Sequence, residues 1–250
     1  MIKKTKITFL ENSFNYNAND LNNENIGGSE KTLINITREL AKDKDFEIKV
    51  FNNSQISSVI NNVSWSNINK INDFGEADYV IAMSDANLFS NLSSHNNFLW
   101  SHSVQSFEKF IRKKQIIPFL KYKPVMILEG NYHYNTRSFL TSFFGKEILR
   151  IAPDNDFINT KINIKQLPPS NAIFTTKSDR NLNFLLDAWQ KIKKSNIQSK
   201  LFINPPHDLT NANKQDEIFL RVKGDKKILI NDLVNSRVFI TPGHKTEVFC

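Results

Sequence analysis

Short apolar runs alternate with segments of helical period along the chain. Lys6–Leu10 reads as a buried strand, and Glu47–Phe51 reads as another. Between them, Leu33, Ile36, Thr37 and Leu40 fall at helical spacing within Ser29–Ala41, with Ser29 a candidate N-cap and Glu30 in the first turn. Strand, helix, strand implies a right-handed crossover and a parallel pair. The intervening Asn12–Ile26 is polar and irregular, because asparagine side chains compete with helical backbone hydrogen bonds. The alternation continues through strands at Tyr79–Met83, Asn97–Trp100, Val125–Leu128 and Ile148–Ile151.

Pro168-Pro169 interrupts the pattern, which then restarts. A strand at Ala172–Thr175 leads into a helix at Arg180–Lys193. Leu182, Leu185, Leu186, Trp189 and Ile192 form one apolar face of that helix, and Lys191, Lys193 and Lys194 gather where the helix dipole favours cations. A strand at Lys200–Ile203, a polar helix or loop near Asn213–Val222, a helix at Asp225–Asn235 and a strand at Val238–Thr241 follow. Repeated alternation of this kind predicts an α/β protein with doubly wound parallel sheets. It divides into a first domain at 1–155, a linker at 156–169 and a second domain at 170–250. In such folds ligands lie beyond the C-terminal ends of the strands.

Composition narrows the picture. The 250 residues carry 33 Lys and Arg against 25 Asp and Glu, a net charge of +8, which favours anionic partners. The single cysteine, Cys250, excludes an internal disulfide framework and a cysteine-rich zinc site. No apolar run approaches the roughly 20 residues that span a bilayer. The basic start (Lys3, Lys4, Lys6) precedes only four apolar-type residues, Ile7 to Leu10, too few for a secretion signal. The expectation is a soluble cytoplasmic protein.

Four segments that follow strands carry candidate chemistry. Gly27-Gly28-Ser29 opens the first helix, where free N–H groups suit an anion, though two glycines at a helix start also serve the backbone alone. His102 follows the strand ending at Trp100 and is a candidate hydrogen-bond partner or acid/base, or else a structural histidine. Lys177 and Arg180 flank the start of the helix that contains Trp189, where a diphosphate would meet both cations and the helix N–H groups. A solvated Lys177 and an Arg180 paired with Asp179 would account for the same residues. Gly243 and Glu247 follow the last strand, where a carboxylate could accept hydrogen bonds from the vicinal hydroxyls of a sugar or ribose.

Taken in order, Ile26-Gly27-Gly28-Ser29-Glu30, Leu99-Trp100-Ser101-His102, Ile173 to Trp189 and Ile240 to Cys250 resemble the retaining nucleotide-sugar glycosyltransferases of family 4. The resemblance runs thinly over nearly the whole chain. It implies two Rossmann-like domains facing a cleft, with a nucleotide-diphosphate sugar as donor, a glycan or lipid-linked acceptor, no metal and no other cofactor. By position, Lys177 and Arg180 would hold the donor diphosphate, Gly27, Gly28 and Gly243 would border the donor, and His102 and Glu247 would stand at the reacting sugar. The family's second motif glutamate would come eight positions after Glu247, beyond Cys250, so the resemblance implies a C-terminally truncated chain with an incomplete second domain. Lys177 stands where arginine is common in the family, which loses the planar fork.

Gln105–Tyr122 is basic and amphipathic. Phe107, Phe110, Ile111 and Lys114 share one helical side, Lys109, Arg112 and Lys113 lie off it, and Pro118 ends or kinks the helix. It reads as a core-facing helix with a solvated basic edge, or as a peripheral contact with an acidic membrane at its inner face. Three further readings compete with glycosyl transfer. One is a non-catalytic remnant acting as a binding or partner domain. A nucleic-acid binder has the charge but none of the motifs, so no nucleic acid is expected. A nucleotide-cofactor oxidoreductase lacks its glycine fingerprint.

Overall fold

The computed structural model describes residues 3–23, 26–103, 106–136, 143–151, 157, 159–161, 166–176, 180–204, 217–221 and 225–242. Two compact units divide the chain, Met1–Ile151 and Ala152–Lys245. The fold is α/β with parallel sheets, as the alternation predicts, and the second sheet is the smaller.

In the first unit, strands β1 (Thr5–Leu10), β2 (Phe46–Asn52), β3 (Ser58–Ile60), β4 (Val63–Asn67), β5 (Tyr79–Met83), β6 (Asn96–Trp100), β7 (Val125–Leu128) and β8 (Lys146–Ile148) form one sheet. Their order is β3-β4-β2-β1-β5-β6-β7-β8, and every neighbouring pair is parallel except β3 with β4. Side chains alternate across the sheet. Phe9, Val50 and Met83 pack on one face with Leu33 and Ile34 of helix α1 (Gly28–Leu40). Leu10, Phe51 and Val80 pack on the other with Phe110 of α2 (Phe107–Arg112) and Phe119 of α3 (Ile116–Tyr122). Both faces are therefore covered, which is what a parallel sheet requires. A last short helix, α4 (Asn131–Thr136), follows β7.

The second unit holds β9 (Ala172–Phe174), α5 (Leu182–Ser195), β10 (Leu201–Ile203), β11 (Ile218–Leu220), α6 (Lys226–Val234) and β12 (Val238–Phe239). Its strands lie in the order β11-β10-β9-β12, all parallel. Leu182, Leu185 and Trp189 of α5 pack on Ala172, Phe174, Leu201 and Ile203, using the apolar face anticipated from the sequence. Asp225 caps α6, accepting from the Ile228 N–H at 3.0 Å.

Several expectations are corrected. The first helix begins at Gly28 with Gly27 as its N-cap, not Ser29. The expected helix over 105–122 is two helices: Lys114 takes φ 54°, the buried Gln115 turns the chain, and Pro118 sits in the first turn of α3, where its missing N–H costs nothing. The polar segment 213–222 contains strand β11 within its described part. β8 ends at Ile148, where the expected strand begins. The helix expected from Arg180 starts at Leu182, after a left-handed Asn181. Strands β3 and β4 escape sequence reading. They form a hairpin whose two turn residues, Asn61 and Asn62, both have positive φ, a requirement asparagine meets more cheaply than most residues.

Trp65 of β4 is wholly buried beside Tyr16, with ring centroids 5.9 Å apart. Trp65→Ala should cost about 3–5 kcal/mol, read as a lowered urea midpoint. A loss under about 1 kcal/mol would mean that this face of the sheet is not a packed core.

Candidate functional site

The chain leaves β1 towards β2 and β4 on one side, and returns to β5, β6 and β7 on the other. The topological switch therefore lies between β1 and β5, where the connecting segments part and leave a crevice at the C-terminal strand ends. A cavity of about 290 Å³ occupies that place, lined by residues following β1, β5 and β6 and by the start of α1. Parallel register explains who meets there. Leu10 pairs with Ala82, Met83 with Trp100, and Trp100 with Ile127. Glu11 is thus level with Met83, Trp100 and Ile127, and two positions further on stand Ser13, Asp85, His102 and Glu129.

The cavity is acidic. Glu11 is buried and accepts from the Ser13 N–H at 2.7 Å. Burial pushes its pKa above the ordinary carboxylate value, the Ser13 hydrogen bonds oppose this, and the nearby charge of Glu30 adds to it. Glu30, in the first turn of α1, accepts from the Ser29 hydroxyl at 3.0 Å. A Cβ on Gly27 would lie 2.7 Å from its Oε2, so the glycine leaves room for this carboxylate, whereas a Cβ on Gly28 would meet nothing within 4 Å. The phenol of buried Tyr16 also lines the cavity, its pKa raised by burial and then by the charges of Glu11 and Glu30. Asp85 accepts from Asn12 Nδ2 at 3.2 Å and from the Asn87 N–H at 3.0 Å, tying the β1 and β5 loops together. Ser84, beside it, takes φ 57°, a strained conformation for a side-chain-bearing residue.

His102 lines the same cavity, as the sequence placed it after its strand. Its Nδ1 contacts Oε1 of the buried Glu129, and its ring lies on Trp100 with centroids 4.8 Å apart. Behind them, the Glu129 N–H donates to Nδ1 of the buried His133 at 3.4 Å. Burial lowers the pKa of His133 and keeps its ring neutral, against the pull of Glu129. Lys113 brings a cation to the cavity edge. Lys109, one helical turn away, donates to Ser103 Oγ at 2.5 Å; burial, then the charges of Lys113 and Arg112, draws its pKa down to about 8. Three carboxylates, a phenol and an imidazole around one cavity suit a ligand rich in hydroxyl groups.

Of the residues singled out by sequence, Gly27 and Gly28 border this site at the start of α1, and His102 is within it. Lys177, Gly243 and Glu247 lie outside the described residues. Arg180 lies beyond β9, next to the left-handed Asn181. The second sheet has its own switch point between β9 and β12, and Ile240 still hydrogen-bonds Ile173 there at 2.9 Å. Glu11, Tyr16, Asp85 and Glu129 were not read as site residues. Each except Tyr16 lies one to two positions past a strand end, and that spacing was the available signal. A further network also escaped notice. Arg221 forks onto the buried Asp232 at 2.7 and 2.8 Å, Asn204 joins at 3.0 Å, and the guanidinium lies over Phe202 at 4.6 Å. Among the described residues no group of three or more His, Cys, Asp or Glu is placed to hold a metal ion, and no helix is long and apolar enough to cross a membrane.

No protein-family model matches the sequence, and no curated protein sequence does. In fold, the chain is similar to the solved structure of a Thermobaculum terrenum O-GlcNAc transferase mutant, with a TM-score of 0.54 and 9% identity over 95% of this chain and 48% of that one. It therefore spans about half the length of that protein. It is also similar to the α,α-trehalose 6-phosphate synthase of Burkholderia multivorans, with a TM-score of 0.59 and 10% identity over 96% of this chain and 78% of that one. At such identities the likeness concerns the architecture.

The raised pKa of Glu11 has a definite sign. An acid that holds its proton more tightly in the folded chain contributes fully below its ordinary value of 4.5, and its contribution falls as pH rises through the folded value. Glu11→Gln removes that loss. The variant should melt at or above the wild-type temperature near pH 7.5, with the difference closing towards pH 4.5. A wild-type advantage that grows with pH would mean the ionised carboxylate is the favoured folded form.

Proposed function

We propose that this chain is a glycosyltransferase that moves a sugar from a nucleotide-diphosphate donor to a hydroxyl of a glycan or lipid-linked acceptor. The observation that carries the reading is the hydroxyl-seeking cavity at the first switch point, with Glu11, Glu30, Asp85 and His102 converging on it. It is supported by the architecture, which is similar to that of an O-GlcNAc transferase and of an α,α-trehalose 6-phosphate synthase. The acceptor takes the acidic cavity of the first unit, where a diphosphate would be repelled by Glu11 and Glu30. The donor takes the second unit, at the segments that follow β9 and β12. There Lys177 and Arg180 hold the diphosphate and offset the charge that grows on it as the sugar leaves. Gly243 and Glu247 border the sugar. The transfer uses no metal or other cofactor.

The acceptor class gains support from α2 and α3. Phe107, Ile111, Ile117 and Leu120 are exposed there, among exposed Arg112, Lys113, Lys114 and Lys121. Apolar side chains set among cations match an acidic membrane surface, where a lipid-linked acceptor would be found. The reading accordingly includes a cytoplasmic enzyme, peripheral at the membrane's inner face.

Donor binding is tested first. UDP-glucose or GDP-mannose at millimolar concentration should raise the melting temperature, and Arg180→Ala should weaken that binding roughly 10- to 100-fold. No shift from either nucleotide sugar, or an unchanged affinity in the variant, would remove the donor assignment. On the membrane side, the protein should sediment with phosphatidylglycerol vesicles and not with phosphatidylcholine vesicles. Replacing Ile111 and Ile117 together by Asn should abolish that retention. Equal retention by both lipids, or by wild type and variant, would discard the contact.

A further inference from the structure

Helices α2 and α3 meet at a corner that is fastened to the cavity wall. The turn is made by Lys113, the C-cap of α2, by Lys114 with φ 54° and by the buried Gln115. The Lys113 carbonyl accepts from Asn87 Nδ2 at 3.1 Å, and the same amide donates to Asp85 at 2.8 Å. Asp85 in turn accepts from Asn12, in the segment after β1. Gln115 Nε2 donates to the carbonyl of the left-handed Ser84 at 3.5 Å. Asn12, Ser84, Asp85 and Lys113 all line the cavity. Side-chain amides therefore hold the corner and the cavity mouth as one piece.

The chemistry differs on the two sides of this corner. Outside, Ile111, Ile117 and Leu120 are exposed among exposed Arg112, Lys114 and Lys121. Inside are carboxylates suited to hydroxyl groups. Lys113 belongs to both sides: it is exposed, and among the described residues it is the only lysine or arginine lining the cavity. Glu11, Glu30 and Asp85 line that cavity too, yet among the described residues none forms an ion pair with Lys113. Glu11 accepts from Ser13, Glu30 from Ser29, and Asp85 from Asn12 and Asn87. An ammonium at the mouth without a partner is a point charge open to an anion. A ligand that uses the whole surface has an apolar tail, one anionic group and a sugar, in that order.

We propose that the acceptor is a membrane glycolipid whose sugar is joined to its lipid through a phosphate, with the phosphate paired to Lys113 and the sugar in the cavity. The assignment rests on the glycosyl-transfer reading and narrows its acceptor. The carboxylates inside repel the phosphate and hold it at the mouth, so the sugar is the end that enters. A neutral glycolipid leaves Lys113 without a counter-charge. A soluble sugar phosphate leaves the apolar flank of α2 and α3 uncovered.

Binding to the full chain, without donor, tests the class. Phosphatidylcholine vesicles carrying glucosyl-phosphoryl-undecaprenol are compared with vesicles carrying glucosyl-diacylglycerol, with phosphatidylglycerol added to the second set until the surface charges match. The phosphate-linked glycolipid should bind roughly 10-fold more tightly. Lys113→Gln should remove that preference while keeping retention on phosphatidylglycerol vesicles, and Lys113→Arg should preserve the preference. Glu30→Gln should weaken both glycolipids alike, because it acts on the sugar. No preference in the wild type, a preference that survives Lys113→Gln, or no effect of Glu30→Gln would each overturn the assignment. Glucose 1-phosphate competing as strongly as the glycolipid would assign the site to a soluble sugar phosphate and overturn the lipid part. A preference that holds while neither UDP-glucose nor GDP-mannose is turned over would leave the ligand class standing and refute the transfer reading. Equal transfer to both glycolipids would do the reverse.

Discussion

The reversal of connection between β1 and β5 is the constraint on which the site depends. Parallel strands must be joined by crossovers, and crossovers that run to opposite sides part company at one place. In this chain that place is flanked by Glu11, Met83 and the start of α1, and the register of β6 and β7 carries His102 and Glu129 to the same level. No single contact gathers these residues. Backbone hydrogen bonding between parallel strands aligns their ends, and the residues one or two positions beyond each end then share a rim. A one-residue slip of β6 against β5 would turn His102 to the other face of the sheet.

Low polarity at that rim decides the chemistry. Glu11 and Tyr16 are buried side by side, and Glu30 and Asp85 bring further carboxylates, so Glu11 holds its proton more tightly than a free carboxyl does. The same acidity argues against an anion at the start of α1. The positive end of that helix already faces its own Glu30, and the room a side chain at Gly27 would need is taken by that carboxylate.

Much of the architecture was legible because parallel strands buried on both faces write themselves as apolar runs, as in Tyr79–Met83 and Val125–Leu128. Helix α5 was legible from its apolar stripe. The β3–β4 hairpin was not. Its strands are short, and its turn uses two asparagines in a chain where asparagine is common. His102 was legible as the polar residue after a strand. Glu129 was not, although it comes directly after β7, since its contact is with a neighbour 27 positions away. The break between α2 and α3 was hidden because Pro118 draws attention to itself, while the turn comes earlier, at Lys114 and Gln115.

The second unit repeats the principle with fewer strands. Its chain runs from β9 to β10 and β11 on one side and returns to β12 on the other, so its switch lies between β9 and β12. A four-stranded sheet whose strands are two or three residues long has little backbone pairing to hold its strand ends level. Arg221, just past β11, supplies what the short strands lack. Its fork onto Asp232 joins β11 to α6, and the Asn204 amide on the same carboxylate adds the end of β10. The guanidinium also covers Phe202 and Phe219, shielding the ion pair on one side. A buried charged pair of this kind adds little net stability compared with apolar packing, and its stronger effect is on geometry. In this unit it holds two strand ends and a helix in one arrangement at the rim where a parallel sheet receives its ligand.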